Sequence, residues 1–284
     1  MNVVVLGATG MLGSAVYRFL GQSEGFYVTG VARSAAAQSL GNSANSKIRI
    51  EPNMLDADRL ESLFADTRPE AVINCIGVVK QLADSHNPLV AIPINALLPH
   101  RLSQLCRLAN ARLIHISTDC VFSGTRGNYR ESDSPDAMDL YGVSKHLGEV
   151  TDAHTVTLRT SIIGHERNSA NGLVEWFLSQ NGRAKGFTRA IFSGVPTVEL
   201  SRIMRDYVLS STNSLSGLYH VSAEPISKYN LLALVAKVYG KKIELAPVDE
   251  PAIDRSLNSE HFRQSTGYTP PDWTTLVEAM RVFG

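Results

Sequence analysis

The chain has 284 residues, of which 44% are hydrophobic, so it can bury a large core as one large domain or as two unequal ones. Its 27 lysines and arginines balance its 27 aspartates and glutamates, which excludes the basic surface that nucleic acid or an anionic membrane would need. No apolar stretch is long enough to cross a membrane, and the first predicted strand begins at Val3, which leaves no room for a signal peptide. We therefore expect a cytoplasmic protein that binds a small molecule, with no nucleic acid and no membrane as partner.

A strand, a glycine-rich turn and a helix open the chain in that order. Val3 to Leu6 form a short, wholly apolar run typical of a buried parallel strand, and a helical pattern starts at Met11. The intervening glycines would let the backbone turn tightly and approach a pyrophosphate, which the first amides and the dipole of the helix would attract. The residues predicted to bind the cofactor here are Gly7, Thr9, Gly10, Met11, Leu12 and Gly13. A tight turn without a ligand is the alternative interpretation.

The second predicted strand, Tyr27 to Ala32, ends where a dinucleotide-binding fold places the residue that reads the adenosine ribose. An acid there would bind the ribose hydroxyls of NAD, but the chain has Arg33 and Ser34, and no acid between Phe26 and Gln38. A guanidinium is a good planar partner for phosphate, so we predict that the cofactor is NADPH in preference to NADH. A solvated loop arginine is the alternative.

Strand and helix patterns continue to alternate through the first half of the chain. Strands are predicted at Ala71 to Ile76 and Leu113 to Ser117, on either side of a helix from about Asn95 to Ala109. Such alternation is typical of an α/β fold with a Rossmann-like, doubly wound parallel sheet, which binds its ligand beyond the carboxyl ends of the strands. Gly77 and Thr118 fall at these ends, as the glycine turn does.

Tyr141 and Lys145 stand four residues apart, so a helix would place them on one face, within reach of the same substrate carbonyl and cofactor ribose. Hydride transfer to a ketone leaves negative charge on oxygen, and Tyr141 would supply the proton if a cation favours its phenolate. Lys145 would provide that charge, and Thr118 would hydrogen-bond the oxyanion. The trio predicts a nicotinamide-dependent oxidoreductase. Taken singly, the three residues could equally be a packed aromatic ring, a solvated charge and a strand-end hydroxyl.

The regularity weakens after Arg159, where segments rich in Gly, Ser and Pro separate short helical patterns. These patterns are Leu173 to Leu178, Leu200 to Val208 and Leu231 to Tyr239. We predict a cofactor domain over residues 1–160 and roughly 191–222, and a smaller, discontinuous α/β substrate-binding lobe over roughly 161–190 and 223–284.

Other chemistries lack their residues in this sequence. The eight histidines show no metal spacing, since His165 and Glu166 lack the second histidine of a zinc helix and His115 lies in an apolar strand, so no metal is predicted. The nucleophile elbow of a serine hydrolase and the phosphate loop of a nucleoside triphosphatase are missing. The three cysteines show no paired spacing and are expected to be reduced thiols: Cys75, Cys106 and Cys120.

The chain resembles a known family along nearly its whole length. Its glycine spacing and Tyr-x-x-x-Lys are similar to those of the extended short-chain dehydrogenases/reductases. More narrowly, it resembles the dTDP-4-dehydrorhamnose reductases in the run STDCVFSGTRGNYRESDSPDAMDLYGVSKHLGE, in LRTS at Leu158 to Ser161, GVPT at Gly194 to Thr197, GLYHVS at Gly217 to Ser222 and RSLNSEHF at Arg255 to Phe262. The resemblance implies a Rossmann-like domain and a small lobe that grips a nucleotide-linked sugar, whose carbon-4 ketone is reduced with NADPH during synthesis of surface-polysaccharide precursors.

The resemblance also implies roles for further residues. Asn53 and Met54 would lie near the adenine, and Cys75, Ile76 and Gly77 would lie along the cofactor. The residues that would contact the sugar nucleotide are Asp119, Cys120, Arg189 and Pro196. Among them, Arg189 is the predicted partner of the diphosphate because its planar fork suits phosphate.

Two positions depart from the family pattern, since Cys120 stands where the family usually has Tyr and Ile162 where it has Trp. Loss of two aromatic platforms changes stacking and hydrogen bonding at the substrate, so a UDP-linked 4-keto-6-deoxy-N-acetylhexosamine competes with the dTDP sugar. An epimerase or dehydratase of the same superfamily and a non-catalytic, dinucleotide-binding regulatory subunit are the alternative functions. The presence of Thr118, Tyr141 and Lys145 together favours an enzyme. The sequence is compatible with a homodimer but does not determine the oligomeric state.

Overall fold

The computed structural model describes residues 1–80, 83–166, 172–210 and 215–284. The strands in these ranges are β1 (Asn2–Leu6), β2 (Tyr27–Ala32), β3 (Ser46–Ile50), β4 (Ala71–Asn74), β5 (Arg112–Thr118), β6 (Thr155–Thr160), β7 (Ile162–Ile163), β8 (Arg183–Phe187), β9 (Ala190–Phe192), β10 (Val195–Pro196), β11 (Gly217–His220), β12 (Ile226–Ser227), β13 (Glu244–Val248) and β14 (Ile253–Asp254). The α-helices are α1 (Met11–Gly21), α2 (Ala57–Thr67), α3 (Pro88–Ala91), α4 (Leu98–Leu108), α5 (Leu140–Leu147), α6 (Leu173–Ser179), α7 (Thr197–Ile203), α8 (Lys228–Tyr239), α9 (Glu260–Thr266) and α10 (Trp273–Phe283).

The chain folds into two compact units, each assembled from separate stretches. Unit 1 takes the described residues of Met1–Ser117, Met138–Leu158 and Ser201–Leu218, and unit 2 takes those of Thr118–Ala137, Arg159–Leu200 and Tyr219–Gly284. Residues 118–137 and 191–200, which the sequence analysis places in the cofactor domain, thus belong to unit 2. None of the helices in the described ranges has the length and apolar character needed to span a bilayer.

A seven-stranded sheet in the order β3-β2-β1-β4-β5-β6-β11 runs through unit 1. Strand β1 pairs in parallel with both β2 and β4, and β3 and β5 extend the parallel pairing on either side. Val3 to Leu6 of β1 are buried, as expected for an apolar strand in the middle of a sheet. The strand order reverses at β1, which is where doubly wound sheets leave a crevice for ligands. The predicted fold class, an α/β protein with a Rossmann-like doubly wound sheet, is confirmed.

The core on one face of this sheet explains why α2 and α4 form. Their buried leucines recur at helical spacing and pack against residues that alternate along the strands. Each such side chain contributes roughly 1.5–3 kcal/mol when it is buried. The central members of this core are Leu60, Leu63, Leu98, Leu102, Val4, Val72 and Leu113.

Two predicted elements have different bounds. The strand predicted to reach Ile76 ends at Asn74, because the side-chain Oδ1 of Asn74 accepts the hydrogen bond of the Ile76 amide at 3.1 Å. The helix predicted from about Asn95 begins at Leu98, because a π-helical segment at Ile92–Leu97 precedes it. Such a segment departs from the 3.6-residue period on which the prediction depends.

Unit 2 contains three small sheets, ordered β10-β7, β12-β9-β14 and β13-β8. Strand β12 runs antiparallel to β9, whereas β13 and β14 pair in parallel with their neighbours. Helices α6, α8 and α10 pack their apolar sides into one core, which includes Phe177, Leu231, Val235, Val277 and Met280. The helical patterns predicted from Leu173 and Leu231 lie within α6 and α8.

Candidate active site

The glycine turn after β1 is held between two strands. The amides of Gly7 and Ala8 donate to the carbonyl of Val31 at 3.1 and 3.0 Å, and the Gly10 amide donates to the Gly7 carbonyl at 3.0 Å. Gly7 has a φ of +79°, which favours glycine. A Cβ at Gly13 would lie 2.0 Å from the Gly7 carbonyl oxygen, so this close approach of helix to turn requires glycine.

The amino terminus of α1 lies at this turn and is suited to an anion. Its first residue, Met11, follows Gly10, which has no side chain to cap the helix, and the first turn carries no acid. The Leu12 side chain is buried, so it is the backbone that this segment can offer to a ligand, and Thr9 is half-buried beside it. The positive end of the helix dipole and the first amides would therefore face a phosphate.

The ends of β2 and β3 carry the residues predicted for the adenosine. Arg33 and Ser34 are exposed. The Asn53 Oδ1 accepts from the Leu55 amide at 3.0 Å, which shapes the loop, whereas Met54 is buried in the core. The arrangement can present Arg33 to a phosphate, whereas the Met54 side chain serves packing.

An acid that the sequence analysis did not consider lies close to Arg33. Glu51 follows β3, its amide donates to the Ala32 carbonyl at 2.8 Å, and its side chain is buried. Arg49 at 2.7 Å and Arg59 at 3.3 Å both bind its carboxylate. This acid is therefore already paired, and the local sequence after β2 gives no sign of it.

The segment after β4 touches the glycine turn. A Cβ at Gly7 would lie 3.2 Å from the carbonyl group of Cys75, so the two segments are in close contact. Burial raises the pKa of the Cys75 thiol to about 12, although the charge of Lys145 opposes this shift. Cys75 is thus a protonated thiol, and Ile76 and Gly77 beside it are half-buried.

Helix α5, which carries Tyr141 and Lys145, is fixed at both ends. The Asp139 carboxylate accepts from the Gly142 amide at 2.9 Å as the N-cap and binds the Lys80 ammonium at 2.8 Å. At the other end, a Cβ on Gly148 would lie 1.9 Å from the Asn95 carbonyl oxygen, so only glycine permits this contact.

Asn95, which sequence reasoning missed as a site residue, joins α5 to the loop after β4. Its Nδ2 donates to Ser144 Oγ at 3.2 Å and to the Val78 carbonyl at 3.1 Å, while its Oδ1 accepts from the Val78 amide at 2.9 Å. The π-helical segment that contains it interrupts the helical pattern, so periodicity gave no signal.

Lys145 is 5% exposed, and Tyr141 on the same helix is half-buried. The Lys145 ammonium donates to the Ile116 carbonyl at 2.6 Å. Burial lowers the pKa of Lys145 to about 8, against the opposing effects of Glu149 and Cys75. Near neutral pH the lysine is therefore charged but close to its titration range, and the same helix carries the phenol of Tyr141.

Thr118 ends β5 and belongs to unit 2, whereas Tyr141 and Lys145 belong to unit 1. Its hydroxyl accepts from the Cys120 amide at 3.1 Å and donates to Asp119 Oδ1 at 3.2 Å. Burial raises the pKa of Asp119, with Arg255 opposing, and burial together with Asp119 raises the pKa of Cys120 to about 12. Cys120 is therefore a protonated thiol, which is a weak hydrogen-bond donor.

The other two residues predicted to contact the sugar nucleotide also lie in unit 2. Arg189 is exposed in the turn between β8 and β9, and its carbonyl accepts from the Ile253 amide at 3.0 Å. Pro196 is buried in β10, where it pairs with Ile163 of β7. Arg189 can therefore reach a ligand with its side chain, whereas Pro196 supports the backbone.

Comparison with known proteins gives the chain its family. The family described as the RmlD substrate binding domain matches residues 1–281. A Haloferax volcanii protein named probable low-salt glycan biosynthesis reductase Agl14 is 30% identical over 92% of this chain and 85% of its own length. Methionine adenosyltransferase 2 subunit beta of Xenopus tropicalis is 25% identical over 99% of this chain and 81% of its own length.

Among solved structures, dTDP-4-dehydrorhamnose reductase of Bacillus anthracis in complex with NADP has the same fold, with a TM-score of 0.78 at 20% identity over 99% of this chain and 98% of that one. The chain therefore belongs to the RmlD substrate binding domain family, which confirms the resemblance to dTDP-4-dehydrorhamnose reductases that its motifs predict.

Proposed function

We propose that the protein reduces the carbon-4 ketone of a nucleotide-diphosphate 4-keto-6-deoxy sugar with NADPH, in the cytoplasm, to make a precursor of a surface polysaccharide. The observation that carries the proposal is the pair on α5: Tyr141 half-buried, and Lys145 buried with its ammonium on the Ile116 carbonyl. Two relatives support the reaction class, since one is named a probable low-salt glycan biosynthesis reductase and the other a dTDP-4-dehydrorhamnose reductase.

The residues of unit 1 fit a dinucleotide. Any Cβ at Gly13 would collide with the backbone of Gly7, so α1 begins close to the turn. The start of α1 has no side-chain cap and would offer its amides to a pyrophosphate. Arg33, exposed at the end of β2, would pair with the 2′-phosphate of NADPH, and the acid that follows β3, Glu51, is already bound by Arg49 and Arg59. The related Bacillus anthracis protein binds NADP. When bound, the reduced nicotinamide supplies the hydride.

The protein's own side chains handle the proton and the charge. Tyr141 would donate its phenolic proton to the new alkoxide, because the neighbouring Lys145 ammonium stabilises the phenolate that remains. Thr118 would hydrogen-bond the developing oxyanion. Asp119, Cys120 and Arg189 would contact the sugar nucleotide, with the Arg189 fork on its diphosphate. Because Cys120 cannot stack as a tyrosine does, both dTDP and UDP sugars are candidates.

The direct test incubates the protein with NADPH and a panel of dTDP- and UDP-linked 4-keto sugars, and follows the loss of NADPH absorbance. Tyr141→Phe keeps the ring but removes the transferable proton, so turnover should fall by roughly 10²–10⁴-fold while NADPH affinity stays nearly intact. Tyr27→Phe is the matched control, because Tyr27 is exposed at the first residue of β2. A Tyr141→Phe protein with the parent rate would overturn the proposed mechanism.

A second candidate function is that of a regulatory subunit, because methionine adenosyltransferase 2 subunit beta aligns with nearly the whole chain. That function predicts dinucleotide binding without consumption of NADPH on any sugar of the panel, and a change in the activity of a methionine adenosyltransferase catalytic subunit on mixing. An epimerase or dehydratase would convert the sugar, detected by chromatography, without net loss of NADPH.

A further inference from the structure

We propose that Glu149 is a positioning residue that ties the chain just after α5 to β5 and supplies the negative charge that faces the Lys145 ammonium. The inference deepens the proposed function and rests on it for its catalytic meaning, since Lys145 is the cation beside the proposed acid Tyr141. Glu149 has no role in the mechanism described above, although it is the last residue of the run from Ser117 to Glu149 that carries the family resemblance.

The first observation is a buried carboxylate with defined partners. The Glu149 side chain is 6% exposed. Ser117 Oγ donates to its Oε1 at 2.7 Å, and His146 Nδ1 lies 3.0 Å from its Oε2. A carboxylate buried to this degree is costly unless it is paired and hydrogen-bonded, so its partners define what it does.

The second observation is that two tethers connect the same pair of elements. Lys145 binds the carbonyl of Ile116, and Glu149 binds the hydroxyl of Ser117, the next residue of β5. Lys145 lies within α5, and Glu149 lies two residues beyond its last residue, Leu147. The two side chains therefore tie the end of α5 and the residues that follow it to two successive residues of β5.

The third observation concerns the charges that face Lys145. Burial disfavours its ammonium, whereas Glu149 and Cys75 favour it. Cys75 is a neutral thiol near pH 7, because burial raises its pKa to about 12. His115, packed near Lys145 from β5 and near His100 of α4, is also neutral, because burial lowers its pKa well below the usual range. Within the part of the chain that the structure describes, Glu149 is thus the acid that favours the charged Lys145, and the half-exposed His146 also lies on its carboxylate.

The test measures the titration of Lys145 directly by NMR of protein labelled with ¹³C,¹⁵N-lysine, with the Lys145 signal assigned from its absence in Lys145→Arg. Glu149→Gln keeps an acceptor for Ser117 but removes the charge, so the Lys145 midpoint should fall by about one pH unit or more. Ser117→Ala removes the tether but keeps the carboxylate, so it should not reproduce that fall. An unchanged midpoint in Glu149→Gln would overturn the proposal.

A measurement on the parent protein keeps the test decisive if Glu149→Gln does not fold. The ¹³Cδ resonance of Glu149 should shift at the pH where Lys145 loses its proton, and a Glu149 signal indifferent to that titration would refute the coupling. In an active preparation, the alkaline limb of the turnover profile should move to lower pH in Glu149→Gln. The NMR readout needs no turnover, so a protein that reduces no sugar would count against the proposed function and not against this inference.

Discussion

At the scale of single residues, the buried charge of Lys145 lowers the stability of the fold, although the proposed chemistry needs this charge. Burial lowers its pKa from 10.5 to about 8, so the unfolded chain binds the proton more tightly than the folded chain does. By linkage, the free energy of unfolding rises with pH between about 8 and 10.5, and below that window the full cost of the buried charge is present. The shift corresponds to about 3 kcal/mol at neutral pH.

We therefore predict that Lys145→Met abolishes activity. Its effect on the free energy of unfolding should be more favourable at neutral pH, where the parent carries the buried charge, than at high pH. The difference in the free energy of unfolding, Lys145→Met minus parent, should be about 2 kcal/mol more positive at pH 7 than at pH 10. The Ile116 carbonyl loses its donor at both pH values, so this loss does not remove the difference. Urea unfolding at the two pH values measures it, with the exposed Lys242→Met as control. Equal effects of Lys145→Met at both would contradict this account.

The sequence could predict that Tyr141 and Lys145 share one helix, because they stand four residues apart, whereas their catalytic roles stay a prediction. It could not predict Glu149, although Glu149 follows Lys145 by the same spacing, because a charged residue after Gly148 is equally compatible with a solvated helix end. Only the packing of α5 on β5 buries the carboxylate and supplies Ser117 as its donor.

At the scale of elements, the turn between β1 and α1 depends on one close backbone contact. A Cβ at Gly13 would lie 2.0 Å from the Gly7 carbonyl oxygen and 2.7 Å from its carbonyl carbon, whereas a Cβ at Gly10 would lie 3.4 Å from that oxygen. The Cβ at Gly13 would collide with backbone atoms of Gly7, so no side-chain rotation relieves the collision. The 3.4 Å distance at Gly10 is an ordinary van der Waals contact.

We predict that Gly13→Ala destabilises the protein by roughly 1–3 kcal/mol or more, because α1 must move away from the turn. NADPH affinity should fall with it, since the same movement displaces the amides at the start of α1. Gly10→Ala is the matched control and should leave the thermal midpoint nearly unchanged. Thermal unfolding followed by circular dichroism compares the two, and a Gly13→Ala midpoint as high as that of Gly10→Ala would argue against the contact.

Elements with a regular pattern were predictable, and interrupted ones were not. The predicted strand from Tyr27 to Ala32 has the bounds of β2, because its apolar run ends at a charged residue. The start of α4 was wrong, because the π-helical segment at Ile92–Leu97 follows a different period and turns Asn95 toward Val78. Such a segment owes its geometry to tertiary contacts that no local pattern records.

At the scale of the whole molecule, the chain alternates between its two units, and local patterns give no sign of this. Residues 118–137 follow β5 directly but belong to unit 2. Their partners lie more than a hundred positions away, since the amides of Asn128 and Tyr129 donate to the side chain and carbonyl of Ser256 at 2.8 and 2.9 Å. That unit 1 holds the cofactor and unit 2 the sugar nucleotide stays a prediction.

This division predicts that two arginines act independently. Arg33→Ala should weaken NADPH binding by roughly 1.5–3 kcal/mol, NADH binding much less, and leave the Michaelis constant for the sugar nucleotide unchanged. Arg189→Ala should raise that Michaelis constant without altering NADPH affinity. Because each exposed arginine belongs to its own unit, the double variant should show the sum of the two losses. Fluorescence titration with each dinucleotide measures the effect of Arg33→Ala, and sugar kinetics at saturating NADPH measure the effect of Arg189→Ala.

Equal losses of affinity for NADPH and NADH in Arg33→Ala would reject the role of Arg33 at the 2′-phosphate. Unchanged sugar kinetics in Arg189→Ala would reject the role of Arg189 at the diphosphate.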